Sequence, residues 1–520
     1  MEQRALLDDP PRDGSHLSRA ARGGVLNLTG TAVSAVASFA LAVAITRGST
    51  KVEAGAFFTA TAMFLLATNI GQLGTSSSLV YFLSNARAGR RLHNAPVYLR
   101  LALVPVLGLA VVIAAVLAIW AEPAGHLLGN TRSGSNGILG ASVAYLAPFI
   151  PFAAALGVYL AGTRGLGTMR ASTTVDQIGR STLQLGLVLL ALLAGRGDLA
   201  PLAWALPYVP LSVLAWLAWR RLCRQAARGQ RPDPGYRPTG VFWRFSGARA
   251  LTSVAQVAML RLDVVLVASL AGLAQSAVYA AATRFLSLGL LASGAISQAA
   301  QPQLGEALAL RDRRGAQELY QTATAWLIVP AWPVYLLLLL FSPTIMRLFG
   351  PGYENGSTVV VVLAATMLVA SACGMVSMVL TMAGRASWNM YNVLLGVVVQ
   401  VGLDIWLIPR IGLVGAAIGW ASGILVTNLV PLAQLVALHR LHPFGRNSVT
   451  AMGLAVAAVG VPAAVARIAF GQTVTALVVA FSAAALLYPA ALWVTRDRTG
   501  LGLLLSAARG RSRRPSPQAG

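Results

Sequence analysis

Six arginines stand inside or at the ends of long apolar runs: Arg100, Arg180, Arg244, Arg249, Arg261 and Arg284. An arginine at the centre of a membrane helix costs roughly 3 kcal/mol on insertion scales, so each needs a partner, an interface or an anion. Arg249 lies on one helical stripe with Gln256 and Asp263, and Arg284 shares a stripe with Gln298, because successive residues advance about 100° around an α-helix. These two cations are the candidates for touching an anionic substrate. Arg100 and Arg244 fall near cytoplasmic ends, where a long side chain reaches the interface. Asp176 and Arg180 have the i,i+4 spacing of a local ion pair. Arg261 points about 160° away from Asp263, onto a face of Ala and Val that suits pairing with a neighbouring helix, conceivably through Asp404. Asp263, Glu306 and Asp404 are the acids able to carry a coupling proton or cation, and Asp263 is the best placed.

Patterns for bond-breaking chemistry do not accompany these groups. The five histidines, His16, His93, His126, His439 and His442, fall in tails, loops or span ends, and Cys223 and Cys373 form no ligand cluster. Neither a GxSxG elbow nor a GxxxxGK[ST] phosphate loop occurs. The expectation is a non-enzyme that needs no cofactor and no metal.

The elements that position these residues follow from composition. Of 520 residues, 56% are hydrophobic and 11% charged, against roughly 25% charged in a soluble domain, and mean hydropathy is +0.68. A water-soluble globule is excluded. At roughly 20 apolar residues per crossing, the runs predict fourteen transmembrane helices: six near 24–46, 54–84, 97–120, 137–161, 173–194 and 199–219, then eight between 241 and 494. The net charge of +24 is carried almost wholly by Arg, with Lys51 the single lysine, so it does not imply nucleic acid as a partner. With the N-terminus inside, 27 cations fall in cytoplasmic segments and 7 in outer loops, the asymmetry expected of a membrane protein with both termini cytoplasmic.

The chain divides accordingly into a cytoplasmic tail (1–23), a first six-helix lobe (24–219), a basic linker (220–240), a second six-helix lobe (241–440), two further helices (448–494) and a basic tail (495–520). A weak repeat at an offset of 222 residues, with Ala60-Thr61 returning as Ala282-Thr283, makes the lobes pseudo-symmetric. Polar stripes fall in corresponding helices. Asn27, Thr31, Ser34 and Ser38 mark the first span, and Asn69, Gln72 and Ser76 the second. Polar groups cannot face lipid unsatisfied, so each stripe either glues helices together or lines a cavity between the lobes. On the second reading Arg249, Arg284, Gln256, Gln298, Asn27, Asn69 and Gln72 form the substrate site. Pro148, Pro151, Pro207, Pro330 and Pro333 fall mid-span and predict kinks, fixed or hinging.

Several segments resemble a known family. RLDVVLVASLAGLAQSAVYAAATRF (261–285), RLFGPGY (347–353) and LIPRIGLVGAA (407–417) are similar to bacterial polysaccharide flippases of the Wzx type, within the multidrug/oligosaccharidyl-lipid/polysaccharide exporter superfamily. TRGSTKVEAGAFF (46–58) resembles a degenerate copy of that family's first outer loop. The resemblance implies an all-α integral membrane protein with two lobes flanking a V-shaped cavity like that of MATE transporters, in the bacterial plasma membrane. It implies movement of undecaprenyl-pyrophosphate-linked glycan across the bilayer by alternating access, with Na+ or H+ as coupling ion and a polysaccharide polymerase or assembly machinery as partner. A lipid II flippase, a cation-coupled multidrug exporter and a membrane glycosyltransferase or glycan ligase are the alternatives. Cations at Arg249 and Arg284 would hold the pyrophosphate or acidic sugars.

Overall fold

The computed structural model describes residues 14–89, 91–121, 136–227, 233, 235 and 238–495. Among the described residues there are helices and loops and no strand. The reason is the solvent: inside a bilayer every backbone N–H and C=O must be paired within its own segment. Among the described residues twelve helices are long and apolar enough to cross a membrane, and the chain is a multi-pass membrane protein. The expected fifth and eighth spans are helical but lie outside that set, because the fifth opens with polar residues and the eighth is broken in two.

The first half contains α1 (Gly14–Gly48), α2 (Lys51–Gly71), α3 (Thr75–Ala88), α4 (Ala95–Ile119), α5 (Asn136–Leu146) and α6 (Ile150–Gly165). A π-helix, Ser172–Arg180, leads into α7 (Ser181–Leu193), followed by α8 (Ala200–Ala205) and α9 (Tyr208–Ala227). The second half contains α10 (Thr239–Ala271), α11 (Leu273–Thr283), α12 (Leu286–Ala309), α13 (Arg313–Met346), α14 (Ser357–Cys373), α15 (Val376–Met382), α16 (Ala386–Ile411) and α17 (Leu413–His439). Last come α18 (Arg446–Ala455), α19 (Val461–Phe470) and α20 (Val474–Val494), which lean on α13, with the Tyr488 hydroxyl donating to the Val329 carbonyl at 2.8 Å. The tails expected at 1–13 and 496–520 and most of the linker lie outside the described residues. Of the linker, Asp233 is described: its backbone N–H donates to the Asn94 side chain at 2.8 Å, and its carboxylate accepts from the Asn94 amide at 2.7 Å. That amide and His93, 3.1 Å away, hold the Asp233 carboxyl below the usual carboxylate range.

The predicted proline bends divide into two kinds. Pro148 lies in a tight 3-10 turn between α5 and α6, and Pro207 lies between α8 and α9. Pro330 and Pro333 remain within α13, whose departure from helical geometry comes later, at Phe341.

Where α2 meets α11, the two halves meet through small residues. Lipid is as apolar as leucine, so membrane helices associate where backbones can approach closely and hydroxyls can pair. On α2, Gly55, Ala56, Thr59 and Ala60 are buried, facing α11 with its buried Leu273, Ser276, Ala277 and Ala280. Thr59 and Ser276 share a hydrogen bond of 2.9 Å. Gly55 sits directly on the Leu273 carbonyl, leaving no room for a Cβ. Beyond this seam, at the end of α1, Arg47 Nε donates to the Leu348 carbonyl at 2.8 Å and the Lys51 ammonium lies 5.7 Å over the Tyr353 ring. Phe39, Phe285 and Phe349 form a triangle with ring centroids 5.5–5.6 Å apart. The family-like RLFGPGY segment is thus where the second half receives the end of α1.

Overpacking a filled interface typically costs 1–3 kcal/mol. Gly55→Val is therefore expected to lower the thermal midpoint of the detergent-purified protein by several degrees, whereas Gly186→Ala, where nothing lies within 4 Å of the added carbon, leaves it unchanged.

Candidate functional site

Where the polar stripes converge, the helices are interrupted. α2 and α3 part at Gln72–Gly74, α8 and α9 at Leu206–Pro207, and α11 and α12 at Arg284–Phe285, while Ser172–Arg180 winds as a π-helix. Irregular backbone at membrane depth is tolerated where protein or a wet cavity surrounds it. Here the interruptions ring a cavity of about 560 Å3. It is walled by α1, α2, α6, the π-helix, α7 and α9, and Arg261 and Arg284 of the second half reach into it.

Its wall carries four arginines, Arg164, Arg180, Arg261 and Arg284, and one acid among the described residues, Asp176. Arg180 is held on three sides. Its Nε donates to Asp176 Oδ1 at 2.6 Å, one terminal nitrogen donates to Gln184 Oε1 at 3.0 Å, and its plane lies 5.9 Å from the Tyr208 ring centroid. Gln184 is fixed in turn, donating at 3.0 Å to the Trp204 carbonyl next to the break at Pro207. Arg164 donates to the Ser172 hydroxyl at 3.3 Å. Arg284 lies 5.2 Å over the Phe58 ring. The floor is polar and neutral: Gln72 accepts from the Ser76 hydroxyl at 2.9 Å, and Asn69, Ser34 and Ser38 stand nearby. Gly157 of α6 makes room for the Gln72 amide, which a Cβ there would strike. An open polar pocket with three more cations than anions can hold an anionic group, and guanidiniums suit phosphate and carboxylate oxygens best.

The structure places the predicted substrate residues unevenly. Arg284, Asn69 and Gln72 line the cavity. Asn27 does not; it accepts a hydrogen bond of 3.1 Å from Gln177 and ties α1 to the π-helix, the packing role open to any polar stripe. Arg249 and Gln256 are exposed on α10, Arg249 lying over Phe245 at 5.9 Å, and neither lines the cavity. The side chain of Gln298 lies outside the described residues. Arg261, expected to turn towards Asp404, faces the cavity instead. The first half supplies Arg164 and Arg180, neither of them among the expected substrate residues. Arg164 had counted as a loop residue because the apolar run ends near 161, but α6 continues to Gly165.

Asp263 occupies the opposite face of α10, in a dry cluster with α16. Its carboxylate accepts from the Tyr279 hydroxyl at 2.9 Å and from Gln400, whose amide also reaches the Met259 carbonyl at 3.2 Å. Asp404, one turn along α16, is wholly buried against Gly419, and neither of its carboxylate oxygens has a hydrogen-bond partner among the described residues. Two buried carboxylates without a positive charge between them repel. Two facing carboxylates of this kind suit a proton or a small hard cation. Glu306, the third candidate acid, lines neither the cavity nor this cluster.

Asp176→Asn tests the charge balance of the cavity. It is expected to cost about 1 kcal/mol in stability, since the pair is only half-buried, while tightening pyrophosphate binding by releasing Arg180; calorimetric titration and thermal unfolding read the two effects separately.

Comparison with known proteins fits this architecture. A family model described as MatE matches residues 249–406. No curated protein matches the chain. Among solved structures, "Lipid II flippase MurJ, inward closed conformation" is similar with a TM-score of 0.67 at 12% identity, covering 91% of this chain and 99% of that one. An inward-facing multidrug resistance MATE family transporter of the MOP superfamily is similar at 0.60 and 16% identity, covering 80% and 98%. A point mutant of the Vibrio cholerae MATE transporter VcmN reaches 0.58 at 17% identity, covering 82% and 98%. At these identities the likeness establishes the fold.

Proposed function

We propose that this chain is a transporter that flips a lipid-linked, pyrophosphate-bearing oligosaccharide across the bacterial plasma membrane by alternating access. The observation that carries the reading is the cavity with four arginines drawn from both halves and a single acid on its wall. A cavity of that sign receives the pyrophosphate and any acidic sugars while the polyprenyl tail stays in lipid. The fold shared with MATE and MurJ structures supports transport over a glycosyltransferase or ligase.

The Asp263–Gln400–Asp404 cluster is the proposed coupling site, taking a proton or Na+ where no other positive group among the described residues faces the two carboxylates. Because α10 carries Arg261 into the cavity and Asp263 into this cluster, neutralising the acids bears on the same helix that holds the anion.

Lipid II transport is the second reading, favoured by the 91% coverage of the chain by the MurJ likeness against 80–82% for the two MATE structures above. Export of a cationic drug is disfavoured by the sign of the cavity.

In proteoliposomes carrying a fluorescent undecaprenyl-pyrophosphate-linked sugar, Arg261→Ala combined with Arg284→Ala should slow flipping by about a hundredfold, since each charged hydrogen bond is worth roughly 1.5 kcal/mol or more. Lysine at both positions should restore part of the rate. Unchanged flipping in the alanine variant rejects the cavity as the route. Equal flipping of lipid II moves the assignment to the second reading.

A further inference from the structure

A second basic pocket lies away from the cavity, at the cytoplasmic ends of the second half. The last turn of α12, the turn after α15 and the end of α17 enclose about 710 Å3. Arg311, Arg313, Arg440 and His439 wall it, with Leu308 and Met382 beneath. Asp312 also borders the pocket, but it is engaged as the cap of α13, accepting from the Gly315 N–H at 2.9 Å. Arg313 donates to the Arg440 carbonyl at 3.3 Å, drawing the ends of α13 and α17 together.

Two features set this pocket apart from an ordinary basic rim. Among the described residues three non-glycine positions adopt positive φ, and two of them are here: Arg311 at 57° and Arg440 at 51°. Helix ends usually place glycine or asparagine in that conformation, so an arginine there holds a cation at some expense to the backbone. The second feature is His439, whose Nε2 is shielded from solvent without a hydrogen-bond partner among the described residues. Three guanidiniums and an unpartnered imidazole nitrogen around one space match the oxygens of a phosphodiester. The floor is apolar, and exposed Leu310 and Leu438 flank the mouth where the hydrophobic spans end. That depth is the headgroup layer of the inner leaflet, given the orientation set by the distribution of arginines.

We propose that this pocket binds the headgroup of an anionic phospholipid of the cytoplasmic leaflet, bracing the ends of α12 and α17. Basic pockets between helices on the cytoplasmic side hold such headgroups, at about 1 kcal/mol per cation. The site stands independently of the transported cargo.

The test uses the full chain in nanodiscs and in detergent. Native mass spectrometry and thermal shift are read with phosphatidylglycerol and cardiolipin against phosphatidylethanolamine, and with inorganic phosphate and glycerol 3-phosphate as soluble probes. The wild type should retain the anionic lipids selectively. Replacing both left-handed arginines by glycine, Arg311→Gly with Arg440→Gly, suits the backbone while removing two charges, and should weaken phosphatidylglycerol binding by about thirtyfold. The double lysine variant should keep most of it. Equal retention of phosphatidylethanolamine by the wild type overturns the proposal without any variant, as does wild-type affinity in the glycine variant. A full thermal shift from glycerol 3-phosphate alone also overturns it, since the ligand would then be a soluble anion.

Discussion

Guanidinium charge at membrane depth is the constraint on which the arrangement rests. Arg164, Arg180, Arg261 and Arg284 cannot sit in hydrocarbon, and Asp176 compensates only one of them directly. What remains must be met by water, by ring faces such as Phe58 and by side-chain acceptors such as Gln184 and the Ser172 hydroxyl. Ser172 opens the π-helix and Gln184 lies in the first turn of α7 that follows it. The interruptions at Gln72–Gly74, Ser172–Arg180, Leu206–Pro207 and Arg284–Phe285 all border the same cavity. A π-helical stretch near a functional site is a recurrent feature.

Opposite charges are sorted rather than paired. Arg261 and Asp263 are two residues apart on α10, yet one faces the open polar cavity and the other a dry cluster against α16. A direct ion pair between them would have cancelled both charges. Separation leaves a cavity with a net attraction for anions and a buried acid pair whose charge state depends on what enters it. α10 is a continuous helix of 33 residues, stiff enough for a change on one face to be felt on the other.

Much of this could be read from the sequence. Apolar runs locate the helices, and the second-span stripe identifies Asn69 and Gln72. The failures have physical causes. Asn27 and Gln72 carry the same kind of polar signal, but whether an amide meets a neighbouring helix or open space depends on packing across spans, here on Gln177 and Gly157. The 160° between Arg261 and Asp263, at about 100° per residue, shows that they face apart without showing which looks inward. Arg249 and Gln256 were chosen with Asp263 as a stripe, and that stripe turns away from the cavity. The π-helix has no signature in apolar periodicity, so Asp176 and Arg180 read as a local pair although they also form part of the wall. Counting arginines by side of the membrane likewise assigned Arg164 to a loop, because helix length is less legible than hydrophobic length.

Two of the contacts joining the halves near the end of α1 involve main chain: Arg47 to the Leu348 carbonyl, and Gly55 flat against Leu273. The Gly55 seat and the Thr59–Ser276 pair carry no charge, so that part of the joint does not depend on ionic strength. It yields to mechanical shear instead. A sliding of α2 along α11 by the width of one small residue would unseat the glycine and the Thr59–Ser276 hydroxyl pair together, so the seam parts as a unit or stays shut.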